Sequence, residues 1–264
     1  MQAYLYLVAT FFQNFLTIGQ DGLHLIATAV LPVLFPFFVL TSLILDLTQT
    51  TKSWTVCLLA YCSGYPNGAR LTQNLYTQKR INLCQAQQLL IMTSTPSPFF
   101  VIATVGMVFL ENIKLGCMIF LCTVISALIN GWLWRPRYNS NFAQQTIPML
   151  KTPGNFFTLF SNALSSATTA IINVCGVVLF FYIVTHLLRL PTFLSGLLEM
   201  TTGVAATTNP FLVQFFVTFG GISVAMQQQI FMQNFHFKFY TYLAYKLTHA
   251  ILACGLLSLY LFLN

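Results

Sequence analysis

Residues 82–110 form an apolar run long enough to cross a bilayer, and in its middle stand Thr93-Ser94-Thr95-Pro96-Ser97-Pro98. Two prolines so placed remove backbone donors and break the helical ladder at membrane depth, where freed polar groups must find protein or water. A second run, 210–235, carries a comparable break, Phe219-Gly220-Gly221-Ile222-Ser223. Two broken helices within one chain point to a cavity rather than to a simple bundle.

The rest of the sequence fits that setting. Of 264 residues, 57% are hydrophobic and 6% charged, with 26 Phe against 4 acidic side chains. A soluble domain carries about a quarter charged residues, so this composition belongs to a chain solvated by lipid. Apolar runs of spanning length are 3–18, 23–45, 82–110, 113–134, 165–188, 210–235 and 238–262. Two shorter stretches, 54–62 and 193–200, cannot cross about 30 Å of hydrocarbon as helices and are expected to be re-entrant. The net charge of +7 comes from scattered Lys and Arg without a basic stripe, which excludes a nucleic-acid surface. The seven Cys lack metal-ligand spacing and read as small buried hydrophobes.

The order of features repeats. Residues 23–134 read as helix, re-entrant element with the polar tip Ser63-Gly64-Tyr65-Pro66-Asn67-Gly68-Ala69-Arg70, broken helix, helix. Residues 165–262 read likewise, with the tip Glu199-Met200-Thr201-Thr202-Gly203 and a short return arm. The expected fold is an all-α polytopic membrane protein of two inverted repeats, each with a re-entrant hairpin and a broken transmembrane helix. Its parts are an N-terminal transmembrane helix over 1–19, a first repeat over 20–134, a cytoplasmic linker over 135–154 and a second, inverted repeat over 155–264. Segment 155–164 reads as an interfacial amphipathic helix leading into the second repeat. The first helix has no basic n-region and no cleavage pattern, so it is expected to be retained. Placing the basic residues of the linker (Arg135, Arg137, Lys151) inside also puts Lys52, Lys79, Arg80 and Lys238 inside, giving an N-terminus inside and a C-terminus outside. Paired broken segments in inverted halves are the pattern of secondary transporters, which hold substrate at the repeat interface.

Two ionisable residues stand at the breaks. Arg70 needs an anion, supplied by Glu199 or by a substrate carboxylate, unless it snorkels to the interface from the hairpin base. Glu199 is a candidate proton carrier for coupling or gating, or else a paired carboxyl that caps its tip. The polar set Ser63, Tyr65, Asn67, Arg70, Thr93, Ser94, Thr95, Ser97, Thr201, Thr202, Ser223 and Gln227 is the expected substrate-binding group, although some of these side chains will only bond to local backbone. Gly64, Pro66, Gly68, Pro96, Pro98, Gly203, Gly220 and Gly221 are expected to shape the breaks and gate them. His24, His186, His236 and His249 have no mutual spacing suited to a metal, and no hydrolase motif is present, so neither enzyme chemistry nor a cofactor is expected.

Two stretches carry a family resemblance. Cys62-Ser63-Gly64-Tyr65-Pro66-Asn67-Gly68-Ala69-Arg70-Leu71 with Thr93-Ser94-Thr95-Pro96-Ser97-Pro98-Phe99-Phe100, and Gly196-Leu197-Leu198-Glu199-Met200-Thr201-Thr202-Gly203 with Phe219-Gly220-Gly221-Ile222-Ser223-Val224, resemble sporulation integral membrane proteins of YlbJ type. Those carry the nucleoside-recognition, or Gate, domain. The chain departs from the family's usual pattern at Arg70 (commonly Lys), Ser94 (commonly Asn) and Ala225 (often His). The resemblance implies a multi-pass transporter of the bacterial cytoplasmic membrane. Its expected substrate is a small organic anion such as dipicolinate (dipicolinic acid), with a nucleoside-like substrate as the alternative. A non-transporting scaffold or assembly factor of sporulation is the competing class, and a lipid-handling protein a third. The partners implied are a small molecule and the lipid bilayer, with a homo-oligomer left open and no nucleic acid.

Overall fold

The computed structural model describes residues 2–48, 52–134, 155–232 and 238–263. Every element among these residues is helical. The linker 135–154 and His236 lie outside the described residues.

The chain begins with α1 (Gln2–Leu25), a π turn (Ile26–Val30) and α2 (Leu31–Thr48), which follow one another without a loop. The sequence separates two runs at residues 19–22, and the structure does not. Gly22 fails to stop the helix because it packs inward, where an added Cβ would lie 2.8 Å from Leu179 and 2.9 Å from Tyr182. The π turn has a local cause. Pro32 and Pro36 supply no N–H, and just ahead of them the Leu31 N–H bonds to the carbonyl of Ile26, five residues back.

Next come α3 (Ser53–Ser63), α4 (Tyr65–Thr77), α5 (Leu83–Thr93), a π-helical segment (Phe99–Phe109) and α6 (Ile113–Leu133). A capping box starts α5, with Asn82 accepting from the Gln85 N–H and Gln85 accepting from the Asn82 N–H, each at 2.9 Å. The π segment lies on α6 backbone to backbone, with Gly106 meeting Gly116. The second half holds α7 (Phe156–Leu188), α8 (Thr192–Leu198), α9 (Met200–Ala205), α10 (Pro210–Phe219), α11 (Gly221–Met232) and α12 (Phe239–Leu263). Residues 156–164, expected as a separate interfacial helix, are the first turns of α7. No helix breaker follows them, and at 33 residues α7 extends about 50 Å.

Helices α2 and α7 pack together, as do α6 and α12, α4 and α11, and α9 and the π segment. Two apolar cores result. One joins α2, α4, α5 and α7 around Phe38, Leu71, Leu89 and Val174; the other joins the π segment, α6, α10 and α12 around Val105, Ile119, Phe216 and Leu257. The outer faces are apolar too, with Leu121, Ile125, Trp132, Ile172, Phe180 and Leu259 exposed. An exterior of this kind is stable only in lipid. Among the described residues, four helices are long and apolar enough to cross a membrane: Ile113–Leu133, Phe156–Leu188, Pro210–Met232 (α10 and α11 taken together) and Phe239–Leu263. The chain is an all-helical membrane protein.

Candidate functional site

The first tip is sharper than its sequence suggests. Only Gly64 leaves the helical conformation, at φ 91° and ψ −177°, a region closed to residues with a Cβ. Pro66 sits in the first turn of α4, where a missing N–H costs nothing, so Tyr65 to Arg70 are already helical. The Tyr65 hydroxyl donates to the carbonyl of Val217 and ties this tip to α10. The first break follows α5, with Ser94 ending that helix and Thr95 turned back by a bond from its N–H to the Thr93 carbonyl at 2.9 Å. Gly68 lets α4 reach this break, since a Cβ there would lie 2.6 Å from the Thr93 carbonyl oxygen.

In the second half, extended Glu199 separates α8 from the six-residue α9. Gly203 crosses Gly196 so closely that a Cβ would lie 2.2 Å from the Gly196 Cα. Left-handed Gly220 ends α10, and Gly221 starts α11.

These breaks surround a cavity of about 390 Å³ at the meeting of the two cores. Ser63, Gly64, Tyr65 and Pro66 line it from the first tip, Pro96 and Ser97 from the first break, and Glu199 and Thr201 from the second tip. Residues 219–223 of the fourth break are not among the lining residues, and α11 contributes Val224 and Gln227 instead. Phe99, Phe100, Val174, Val178 and Met200 make most of the wall apolar. The first residues of α4, of the π segment and of α9 border the space, so helix N-termini, the positive ends of helix dipoles, lie beside it.

Glu199 is the one Asp, Glu, Lys, Arg or His among the lining residues. Its Oε2 accepts from the Thr202 N–H at 2.7 Å and from the Thr202 hydroxyl at 2.9 Å, so it caps α9 while bordering the cavity. Oε1 has no hydrogen-bond partner among the described residues.

Arg70 lies elsewhere. Its guanidinium donates to the Phe38 carbonyl at 3.0 and 3.1 Å, to Asn67 Oδ1 at 3.2 Å and to the Ser42 hydroxyl, with the charge 5.0 Å from the Phe38 ring centroid. Backbone, amide and hydroxyl oxygens make all the hydrogen bonds to Arg70 among the described residues, and the nearby carboxylate of Asp46 acts on it through charge alone. Asn67 is part of the same cluster, donating to Ser63 at 2.7 Å and Thr41 at 2.8 Å.

The other polar residues divide between local and long-range bonding. Thr93 bonds back to Leu89, Ser97 accepts from the Phe100 N–H, and Ser223 accepts from Gln227. The buried hydroxyl of Thr95 has no hydrogen-bond partner among the described residues. Ser94 joins a network absent from the sequence reading: its hydroxyl meets the Gln228 amide at 2.7 Å and the Tyr242 hydroxyl at 3.2 Å, and its carbonyl accepts from Lys246 at 2.9 Å. Lys246 was detectable by the argument applied to Arg70, as a lone charge within an apolar run. Below it, His249 meets the Thr123 carbonyl at 2.9 Å, and Gln214 donates to Thr123 at 2.9 Å. Among the described residues no group of three or more His, Cys, Asp and Glu gathers as a metal site. Cys57 and Cys122 are buried, whereas Cys62 is exposed, contrary to the expectation for it.

The chain is similar to the sporulation integral membrane protein YlbJ of Bacillus subtilis (strain 168), at 22% identity over an alignment 305 positions long that covers 89% of this chain and 74% of the relative. No protein-family model matches it, and no solved structure does. It is a membrane protein similar to YlbJ.

Proposed function

We propose that this relative of YlbJ is a secondary transporter of a small organic anion, carried in the cavity between the two tips. The observation that supports it best is the lining itself: three chain breaks and the start of α11 surround one space of about 390 Å³, within the usual range of small-molecule sites, about 300–1,000 Å³. Broken helices are tolerated in a bilayer where they border such a space. A scaffold has no use for a cavity built from helix breaks, and this favours transport over the assembly-factor reading.

The helix ends of α4 and the π segment supply positive potential for a carboxylate, and the Phe and Val walls suit a ring. Glu199 opposes an anion when ionised and admits it when protonated, which couples entry to a proton. An aromatic dicarboxylate such as dipicolinate meets these demands, and the relative's name, a sporulation integral membrane protein, supports a role in that setting.

On this reading α3 with α4 and α8 with α9 are re-entrant hairpins of two inverted repeats. The pairings support it: exchanging the halves turns the contact of α4 with α11 into that of α9 with the π segment, and leaves α2 with α7 and α6 with α12 unchanged. The basic residues favour a bacterial cytoplasmic membrane protein with the linker inside and the C-terminus outside. They also favour an inside N-terminus, but that needs a reversal before Leu31, whereas the unbroken course from α1 to α2 argues for one crossing and an outside N-terminus.

The test is uptake by proteoliposomes of labelled dipicolinate and of labelled uridine under an imposed pH gradient. Dipicolinate accumulation driven by acid on the side of entry is expected. Uridine uptake alone would move the assignment to nucleosides, and uptake of neither would leave the scaffold.

A further inference from the structure

Tyr242, Tyr245, Lys246 and His249 stand at i, i+3, i+4 and i+7 on α12 and give it one polar face. All four are completely buried. The Lys246 ammonium donates to the Ser94 carbonyl at 2.9 Å and lies 4.8 Å from the centroid of the Tyr65 ring. No carboxylate among the described residues pairs with it. A buried ammonium without an anion is costly, and it persists only where oxygen atoms and aromatic faces replace its water.

The position of that carbonyl is the informative feature. Ser94 ends α5 at the first break, so its oxygen belongs to the unbonded last turn of a half-helix, the negative end of the helix dipole. In transporters with broken helices, carbonyls at such ends hold the coupling sodium ion or proton. Around the same point stand the Ser94 and Tyr242 hydroxyls and the Gln228 amide, all neutral oxygen donors. We propose that Lys246 is a tethered substitute for a coupling cation, its ammonium filling a monovalent-cation site formed by the Ser94 carbonyl and the Tyr65 face. The side chain thereby joins α12 to the first break and the first tip through a cationic group that is tethered to the chain. The protein then needs no sodium at this point, and removal of the ammonium opens a site for a small free cation.

The meaning for transport rests on the function proposed above, but occupancy of the site does not, so the test uses no substrate. Thermal unfolding of the purified full chain is compared in N-methylglucamine, sodium, potassium and propylammonium chlorides at equal ionic strength, for the wild type, Lys246→Gln and Lys246→Ala. The wild type should unfold at the same temperature in all four salts. Both variants should be destabilised in N-methylglucamine. Sodium or potassium should raise their midpoints by about 2–4 °C, and Lys246→Ala should also respond to propylammonium, which restores the missing atoms. Variants indifferent to the cation, whether stable or unfolded in every salt, would overturn the proposal. So would a wild type that sodium itself stabilises.

Discussion

The carboxylate of Glu199 takes both the backbone N–H and the hydroxyl of Thr202, at 2.7 and 2.9 Å, through a single oxygen. One side chain thus caps α9 with Oε2 while the residue borders the cavity. Capping is what the structure shows for this carboxyl, and on the transport reading proposed above the same group also carries the coupling proton. The cap holds the group in place, and the unbonded oxygen is where a proton would enter or leave.

Glu199→Gln separates the two uses. The amide oxygen can still accept from Thr202, so the fold should lose at most about 1 kcal/mol, the worth of an ordinary hydrogen bond. The amide also mimics the protonated acid and cannot release its proton. Wild-type uptake of an organic anion should rise as pH falls, because protonation removes the repelling charge, and uptake by Glu199→Gln should be flat with pH. A retained wild-type profile in proteoliposomes would remove Glu199 from the coupling.

Arg70→Gln should act on stability before affinity. The guanidinium is occupied by Phe38, Ser42 and Asn67, and losing it strands buried oxygens, a cost of about 1.5–3 kcal/mol for bonds to a charged group. The unfolding midpoint should fall while apparent substrate affinity in the surviving protein stays near wild type. An affinity loss at unchanged stability would place the guanidinium in the binding step.

The breaks were legible because proline pairs, glycine pairs and polar residues inside apolar runs leave few alternatives to an interrupted helix. Gly64, Pro96 and Gly220 all lie at interruptions that the sequence marks. The partners across the fold were not legible. Arg70 finds a carbonyl on α2 and Lys246 a carbonyl at the first break, 152 residues away, and a backbone oxygen leaves no trace in residue identity. Continuity from α1 to α2 was hidden for a related reason. Gly19 and Gly22 resemble a turn, and only the contact of Gly22 with Tyr182 explains why a glycine is tolerated within the helix.

Gly68→Ala tests how the first tip is seated. Its Cβ would lie 2.6 Å from the Thr93 carbonyl and 2.7 Å from the Thr93 hydroxyl, and backbone cannot rotate away as a side chain can. The substitution should destabilise by about 1–3 kcal/mol through overpacking. Gly19→Ala, which meets nothing within 4 Å, is the control and should be neutral or slightly stabilising. Equal midpoints for the two variants would mean that α4 does not close on the first break.

Reporter fusions at the two termini and within 139–147 test the path through the membrane. With the linker inside, both termini should report outside: α1 and α2 then make one crossing between the N-terminus and Lys52. An inside N-terminus would require the chain to reverse at the π turn Ile26–Val30, where the helix runs on.

The two tips should meet across the cavity. Ser63 ends α3 and Thr201 begins α9, and both line the same space of about 390 Å³ despite belonging to opposite halves of the chain. If the halves are inverted, one tip enters from each membrane face and they approach near the middle of a hydrocarbon layer about 30 Å thick. In a background lacking the seven native cysteines, Ser63→Cys with Thr201→Cys should cross-link with a short bifunctional reagent. Ser63→Cys with Leu263→Cys, near the exposed end of α12, should not. An organic anion held between the tips should slow the first reaction by occupying the space the reagent must enter. Failure of the first pair to react, while each single cysteine still accepts a small thiol reagent, would separate the tips and remove both the shared cavity and the inverted arrangement built on it.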